Sequence, residues 1–146
     1  MKPRRRARVI AVQVLFEVDV ARHDAQRALN YRFADEEAPA PEVATFAQTL
    51  VYGALSHLEV LDEVIRRMAP DWPLDQMPGV DRNILRLAVY EILFRQDTPA
   101  KVVINEAVEL AKLLGSDSSS RFVNGVLGTL VAHQSDIVSK LGLTVD

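Results

Sequence analysis

At 146 residues, with 49 % apolar and 25 % charged, the chain has the size and balance of one ordinary soluble domain that buries roughly two-thirds of its unfolded surface. The absence of cysteine excludes disulfides, thiolate zinc sites, iron–sulfur clusters and cysteine nucleophiles, and histidines 23, 57 and 133 form no spaced ligand set, so no metal or cofactor is expected. No run approaches the ~20 apolar residues that cross a bilayer, and the basic N-terminus has no signal-peptide core behind it, so the expected location is the cytoplasm.

The first eight residues hold Lys2, Arg4, Arg5, Arg6 and Arg8 and no acid. From residue 9 onward, twelve basic residues then face twenty acidic ones, a balance of −8 against −3 for the whole chain. An acidic body with a short arginine arm argues against a general basic coat and for a local contact with a polyanion, most simply RNA or DNA phosphate. A basic terminus that only aids solubility fits the charge equally well. Ala7, Ile10, Ala11, Val14, Leu15 and Val18 recur at helical spacing and predict a helix over 4–20. Arg4, Arg8 and, less neatly, Arg5 lie off that stripe and are expected to face solvent. Because cations oppose the dipole at a helix start, the first turn should fray without a partner.

A short helix is predicted over 26–33, carrying Leu29 and Phe33, followed by an acidic, proline-interrupted loop over 35–42. One long helix is predicted over 42–68. Its buried side is Val43, Phe46, Ala47, Leu50, Val51, Ala54, Leu58, Leu61 and Ile65, and Asp62–Arg66 and Glu63–Arg67 form i,i+4 pairs. Pro70, Pro73, Pro78 and Gly79 then make a turn-rich piece that Trp72, Leu74 and Met77 pin to the body, with Trp72 read as core rather than as a stacking platform. A helix over 80–94 repeats Ile84, Leu85, Leu87, Ala88, Ile92 and Leu93, with Asp81 in its first turn. Thr98 then caps a helix with Pro99 at its first position, and that helix ends at Gly115. Ser118 or Ser119 caps a last helix through Phe122, Val123, Val126, Leu127, Leu130 and Val131. Residues 135–146 are expected as a tail, partly helical around Ile137 and Leu141, leaving one domain over 1–134. The fold class is therefore all-α, a compact bundle of about six or seven helices in two helical subdomains, 1–68 and 78–134, sharing one core.

The chain shows no phosphate-binding glycine loop, helix-borne histidine pair or nucleophile motif, so a binding module is favoured over an enzyme. Gly125 and Gly128 read as close helix packing, and His57 as structural. Asn105, Glu106 and Glu109 read as solvent-face residues, with Glu109 pairing Lys112. Two regions remain informative: the arginine arm and Ser118-Ser-Ser-Arg-Phe-Val-Asn124. Free N–H groups at a helix start can receive phosphate, Phe122 can stack on a splayed base, and Asn124 can bond its edge. Equally, Phe122 can be a core residue and Asn124 a cap or bridge between helices.

Arg4-Arg-Arg-Ala-Arg8 with Ala11-Val-Gln-Val-Leu-Phe16 resembles the opening of the bacterial transcription antitermination factor NusB family. So do Val80-Asp-Arg-Asn-Ile-Leu-Arg-Leu-Ala-Val-Tyr-Glu91, Val103-Ile-Asn-Glu-Ala-Val-Glu-Leu-Ala-Lys112 and Arg121-Phe-Val-Asn-Gly-Val-Leu127, in family order across residues 4–134. The resemblance implies an all-helical fold and single-stranded boxA RNA of ribosomal RNA leader transcripts as ligand. It also implies pairing with the small-subunit ribosomal protein that doubles as factor NusE, in a complex that helps RNA polymerase pass terminators. By the same resemblance the RNA-binding residues are Lys2, Arg4, Arg5, Arg6, Arg8, Gln13, Arg121, Phe122 and Asn124, and the protein-partner residues are Phe16, Asp19, Asp81, and Asp117 or Ser118. Many relatives carry an acid where this chain has Ser118. Some relatives form homodimers that cover the arginine-rich face. The same fold opens a family of ribosomal RNA cytosine methyltransferases, whose catalytic domain a chain of this length is expected to lack. A helical adaptor that binds protein alone would leave the arginine arm without a role.

Overall fold

The structure, a computed structural model, describes residues 1–35 and 37–143. Among them are eight α-helices and no strand: α1 (Pro3–Val20), α2 (Ala25–Phe33), α3 (Pro41–Ser56), α4 (Leu58–Met68), α5 (Gly79–Phe94), α6 (Ala100–Leu114), α7 (Ser119–Ala132) and α8 (Gln134–Lys140), with a single 3-10 turn at Leu74–Gln76. Helix α1 packs on α2 and α3 to make one half of the bundle, and α4 to α7 make the other. Helix α5 joins the halves. Every residue from Asn83 to Leu93 is buried, because α1, α3, α4, α6 and α7 surround it. In that stretch the buried polar side chains Asn83, Arg86 and Glu91 each have a partner on a neighbouring helix, as groups taken out of water require.

The long helix expected over 42–68 is two helices, broken at His57, whose φ and ψ are −120° and 19°. The imidazole Nδ1 lies 2.9 Å from the Gly53 carbonyl and the ring stacks on Phe94 at 4.1 Å, so the side chain occupies the acceptor that the next helical turn would have used. The break turns Asp62 toward α5. It pairs with Arg86 at 2.8 Å instead of with Arg66, which stands 3.8 Å from Glu63, while Glu63–Arg67 forms as expected at 2.9 Å. At Gly53 α3 comes close against α5, since a Cβ there would overlap the Tyr90 ring and hydroxyl.

Four smaller expectations change. Helix α6 begins at Ala100, so Pro99 is the cap position and Thr98 lies outside it. Gly115 does end α6, with an ordinary φ of −98°; what demands glycine is the Ser119 hydroxyl, which would lie 2.5 Å from a Cβ. Gly125 and Gly128 are not packing contacts, because a Cβ on either meets nothing within 4 Å. Met77 is buried and Leu74 half-buried, but Trp72 remains 49 % exposed, so it is not a core anchor. The C-terminal segment forms α8 with Ile137 buried, and residues 144–146 of the expected tail lie outside the described residues.

Candidate nucleic-acid interface

The arginine arm is the first turn of α1, started by Pro3, whose missing N–H costs nothing there. It is tied down rather than frayed. The Arg5 guanidinium donates to Glu106 of α6 at 2.6 and 3.1 Å, Arg6 donates to the Glu37 carbonyl, and Arg4 stands 3.7 Å from Asp97 with its guanidinium 4.3 Å above the Phe46 ring. Glu106, expected to face solvent, therefore offsets the charge that opposes the dipole of α1. Hydrogen bonding to Glu106, then its charge, holds Arg5 more firmly protonated than usual. Lys2 is exposed and has no partner among the described residues.

Arg8 departs from its expected place at the surface. It is 3 % exposed and donates through Nε and Nη2 to both oxygens of Glu91 in α5, each at 2.8 Å. Burial works against its charge, but the two hydrogen bonds and the Glu91 carboxylate outweigh it and raise its pKa. The signal was present in the sequence: Arg8 precedes Ala11 and Leu15 by three and seven residues, on the row that faces α5. Arg8 therefore joins α1 to α5 and offers no donor to a ligand. Gln13 is half-buried and accepts a hydrogen bond from Arg32 of α2 at 3.1 Å.

At the start of α7, Arg121 and Asn124 are exposed and their side chains have no partner among the described residues. Phe122 lies between its two expected roles. One side packs on the core, and the ring meets Trp72 at 5.7 Å with a 46° tilt. The fold does not bring this segment to the arm. Helix α1 runs antiparallel to α5, with Arg8 on Glu91 at one end and Asp19 on Arg82 and Asn83 at the other. The start of α7 sits beside that second end, where Ser119 donates to Asp81 at 2.6 Å. An 18-residue helix, about 27 Å, separates the two groups.

The expected protein-contact residues gather around the N-terminal end of α5. Phe16 lies against Gly79, where a Cβ would come within 2.9 Å of its ring, and Asp117 and Ser118 are exposed. Asp81 is 4 % exposed and serves to dock the Ser119 turn, which corrects its expected place at the surface. Asp19 is largely occupied as well, accepting from Arg82 at 2.8 Å and Asn83 at 2.9 Å, with Arg86 at 3.1 Å. Burial alone would push its carboxyl up, but the hydrogen bonds from Asn83 and Arg82 and the nearby guanidinium charges hold it below the usual carboxylate range. Sequence reasoning passed over Phe46 and Arg95, which share the arm's cation–π cluster, and placed Trp72 in the core. Among the described residues no group of three or more acidic or histidine side chains could hold a metal ion, and no helix is long and apolar enough to cross a membrane.

The NusB family model matches residues 5–132. The chain is 53 % identical to the transcription antitermination protein NusB of Roseiflexus sp. (strain RS-1) over 132 residues, covering 89 % of this chain and 92 % of that protein. Its fold matches T. maritima NusB with a TM-score of 0.81 and 36 % identity, over 90 % of this chain and 92 % of the other. It matches at 0.81 and 27 % identity a chain from a crystal structure of the antitermination factors NusB and NusE in complex with dsRNA, over 90 % and 98 %. An arginine-led first helix, a helix buried all round at the centre of the bundle and a family match along nearly the whole chain place this protein in the NusB family of transcription antitermination proteins, RNA-binding adaptors without enzymatic activity.

Proposed function

We propose that this protein acts in the cytoplasm by binding the boxA element of ribosomal RNA leader transcripts as single-stranded RNA, together with the ribosomal protein NusE, within the complex that carries RNA polymerase past terminators. The observation that carries the reading is the arm: Arg4, Arg5 and Arg6 stand at the surface on single acceptors, Asp97, Glu106 and the Glu37 carbonyl, for which RNA phosphates can compete. Lys2 adds an uncommitted charge beside them. Arg121, Phe122 and Asn124 supply base contacts at the other end of α1, and Gln13 lies between. Phe16, Asp117 and Ser118 provide the surface for NusE, with Asp19 at its edge. The related complex of NusB and NusE with dsRNA supports the pairing of protein and RNA partners.

The test is a titration of labelled boxA RNA, a scrambled single strand and a boxA duplex, each with and without NusE, over a range of salt. Tighter binding of single-stranded boxA, strengthened by NusE and weakened by salt, is the expected result. Equal binding of all three RNAs under every condition would remove the boxA assignment. A concentration-dependent dimer that releases RNA would show the arm turned toward a second copy instead.

A further inference from the structure

We infer that Trp72 and Phe122 form a stacking site for an unpaired nucleobase, with Arg121 on one side and Arg66 and Arg22 on the other to take the neighbouring phosphates. The inference rests on the RNA-binding reading above and adds a subsite to it. Trp72 is 49 % exposed in a turn whose other large apolar residues are covered, although an indole left open to water forgoes a large burial gain. Its ring meets Phe122 at 5.7 Å, so the two aromatics make one continuous surface between α7 and the segment after α4. That surface forms the wall of two shallow grooves. The first runs between Arg121, Phe122 and Gly125 of α7 and Met68 at the end of α4 with Pro70 just after it. Gly125 leaves it open, because the space where a Cβ would stand is empty. The second groove, on the far side of Trp72, is bordered by Arg22 and Arg66.

The charges favour a nucleic acid as occupant. Arg121 and Arg22 have no partner among the described residues, and Arg66 has one loose contact of 3.8 Å. The carboxylates at the same rims are Asp71, Asp75 and Asp19, and Asp19 is already held by Arg82 and Arg86. Aromatic faces flanked by spare guanidinium groups suit a strand whose base stacks while its phosphates reach cations on either side.

Trp72 is the one tryptophan of the chain, so its own fluorescence reports the event without any substitution. Titrating the full chain with single-stranded boxA RNA should quench that emission, with a midpoint equal to the one obtained from the anisotropy of labelled RNA. Trp72→Ala should weaken binding roughly 5- to 100-fold, and Trp72→Phe should restore most of it. The urea midpoint of Trp72→Phe, read by circular dichroism, should stay near that of the parent. If RNA binds by anisotropy while emission is unchanged, or if Trp72→Ala and Trp72→Phe bind as the parent does, the stacking site is wrong and the RNA-binding reading stands. If NusE without RNA produces the quench and RNA adds nothing, the surface docks protein and the inference is overturned. If no RNA binds with or without NusE, both fail together.

Discussion

Two ends of α1 hold arginine in opposite ways. At the arm, Arg5 spends two donors on one oxygen of Glu106, and Arg4 keeps one loose ion pair of 3.7 Å beside the Phe46 ring. At the far end Arg82 donates to Asp19 and to the carbonyls of Leu74 and Met77, and Arg86 to both oxygens of Asp62 and to Asn83. The second group has its donors taken up and its charge enclosed by protein, so it fixes α5 against α1 and α4. The first group has donors to spare and water around it, which suits an incoming phosphate. Residue type is the same at both ends; depth and the number of acceptors decide whether an arginine builds the fold or reads a ligand.

The largest expected effect lies with the enclosed arginines, Arg86 at the far end and Arg8 one turn below the arm. Arg86→Ala would leave Asp62 without its cation and Asp19 with Arg82 alone in a nearly closed site, and Arg8→Ala would strand Glu91. Each should lower unfolding free energy by about 3–5 kcal/mol, read from urea denaturation. Replacing both partners, as in Arg8→Met with Glu91→Leu, should recover most of the loss, because an apolar pair needs no charge compensation. A loss below 1 kcal/mol for either single variant would erase the contrast between enclosed and accessible arginines.

Acid sharpens the same contrast. The folded-state pKa of Asp19 is depressed below its ordinary value of 3.8, so its contribution to stability is whole above that value and is lost as pH falls through the folded pKa. Melting temperatures should therefore hold down to about pH 4 and fall below it. Asp19→Asn should flatten that acid limb; an unchanged limb would show that the Asp19 cluster does not govern it.

Close helix contact gives the next effect. Gly53→Ala would drive a methyl into the Tyr90 ring and should cost about 1–3 kcal/mol, with the RNA affinity unaffected because the contact lies inside the bundle. A neutral outcome in a urea titration would mean that α3 and α5 can slide apart at little cost.

The contrast also explains what was legible in the sequence. Periodicity placed α1, α2, α5, α6 and α7 to within a few residues, and the outer ends of the α3–α4 pair, because apolar spacing records the buried face directly. Periodicity could not mark His57, since the break depends on a side chain finding the Gly53 carbonyl and the Phe94 ring, the latter 37 residues later in the chain. The arm was legible from charge alone, yet Arg8 was misplaced. A cation among apolar neighbours is buried only if an acid elsewhere, here Glu91, reaches it. Trp72 failed for the converse reason: large apolar residues are usually covered, and nothing local says that the turn after α4 leaves this one open.

For the arm itself the expected effect on folding is small and that on binding is large. Arg5→Ala with Arg6→Ala removes a part-buried pair with Glu106 and an exposed bond to the Glu37 carbonyl, so the urea midpoint should shift by the equivalent of about 1 kcal/mol. RNA affinity should fall for boxA and scrambled strands alike, and its salt dependence should become shallower, because fewer phosphates are neutralised. Selective loss for boxA would mean that the arm reads bases. A large stability loss would mean that it belongs with Arg82 and Arg86.

The smallest effect runs the other way. Gly128 stands in the exposed face of α7 with nothing within 4 Å of its missing Cβ, so the helix bears glycine's backbone entropy there without any close contact in return. Gly128→Ala should stabilise the protein by about 0.5–1 kcal/mol, a rise of roughly 2–4 °C in Tm. Because Gly128 does not border the Trp72–Phe122 groove, RNA affinity should not move. A fall in Tm that grows with protein concentration would instead place this face of α7 against a second copy of the chain, where a methyl group intrudes.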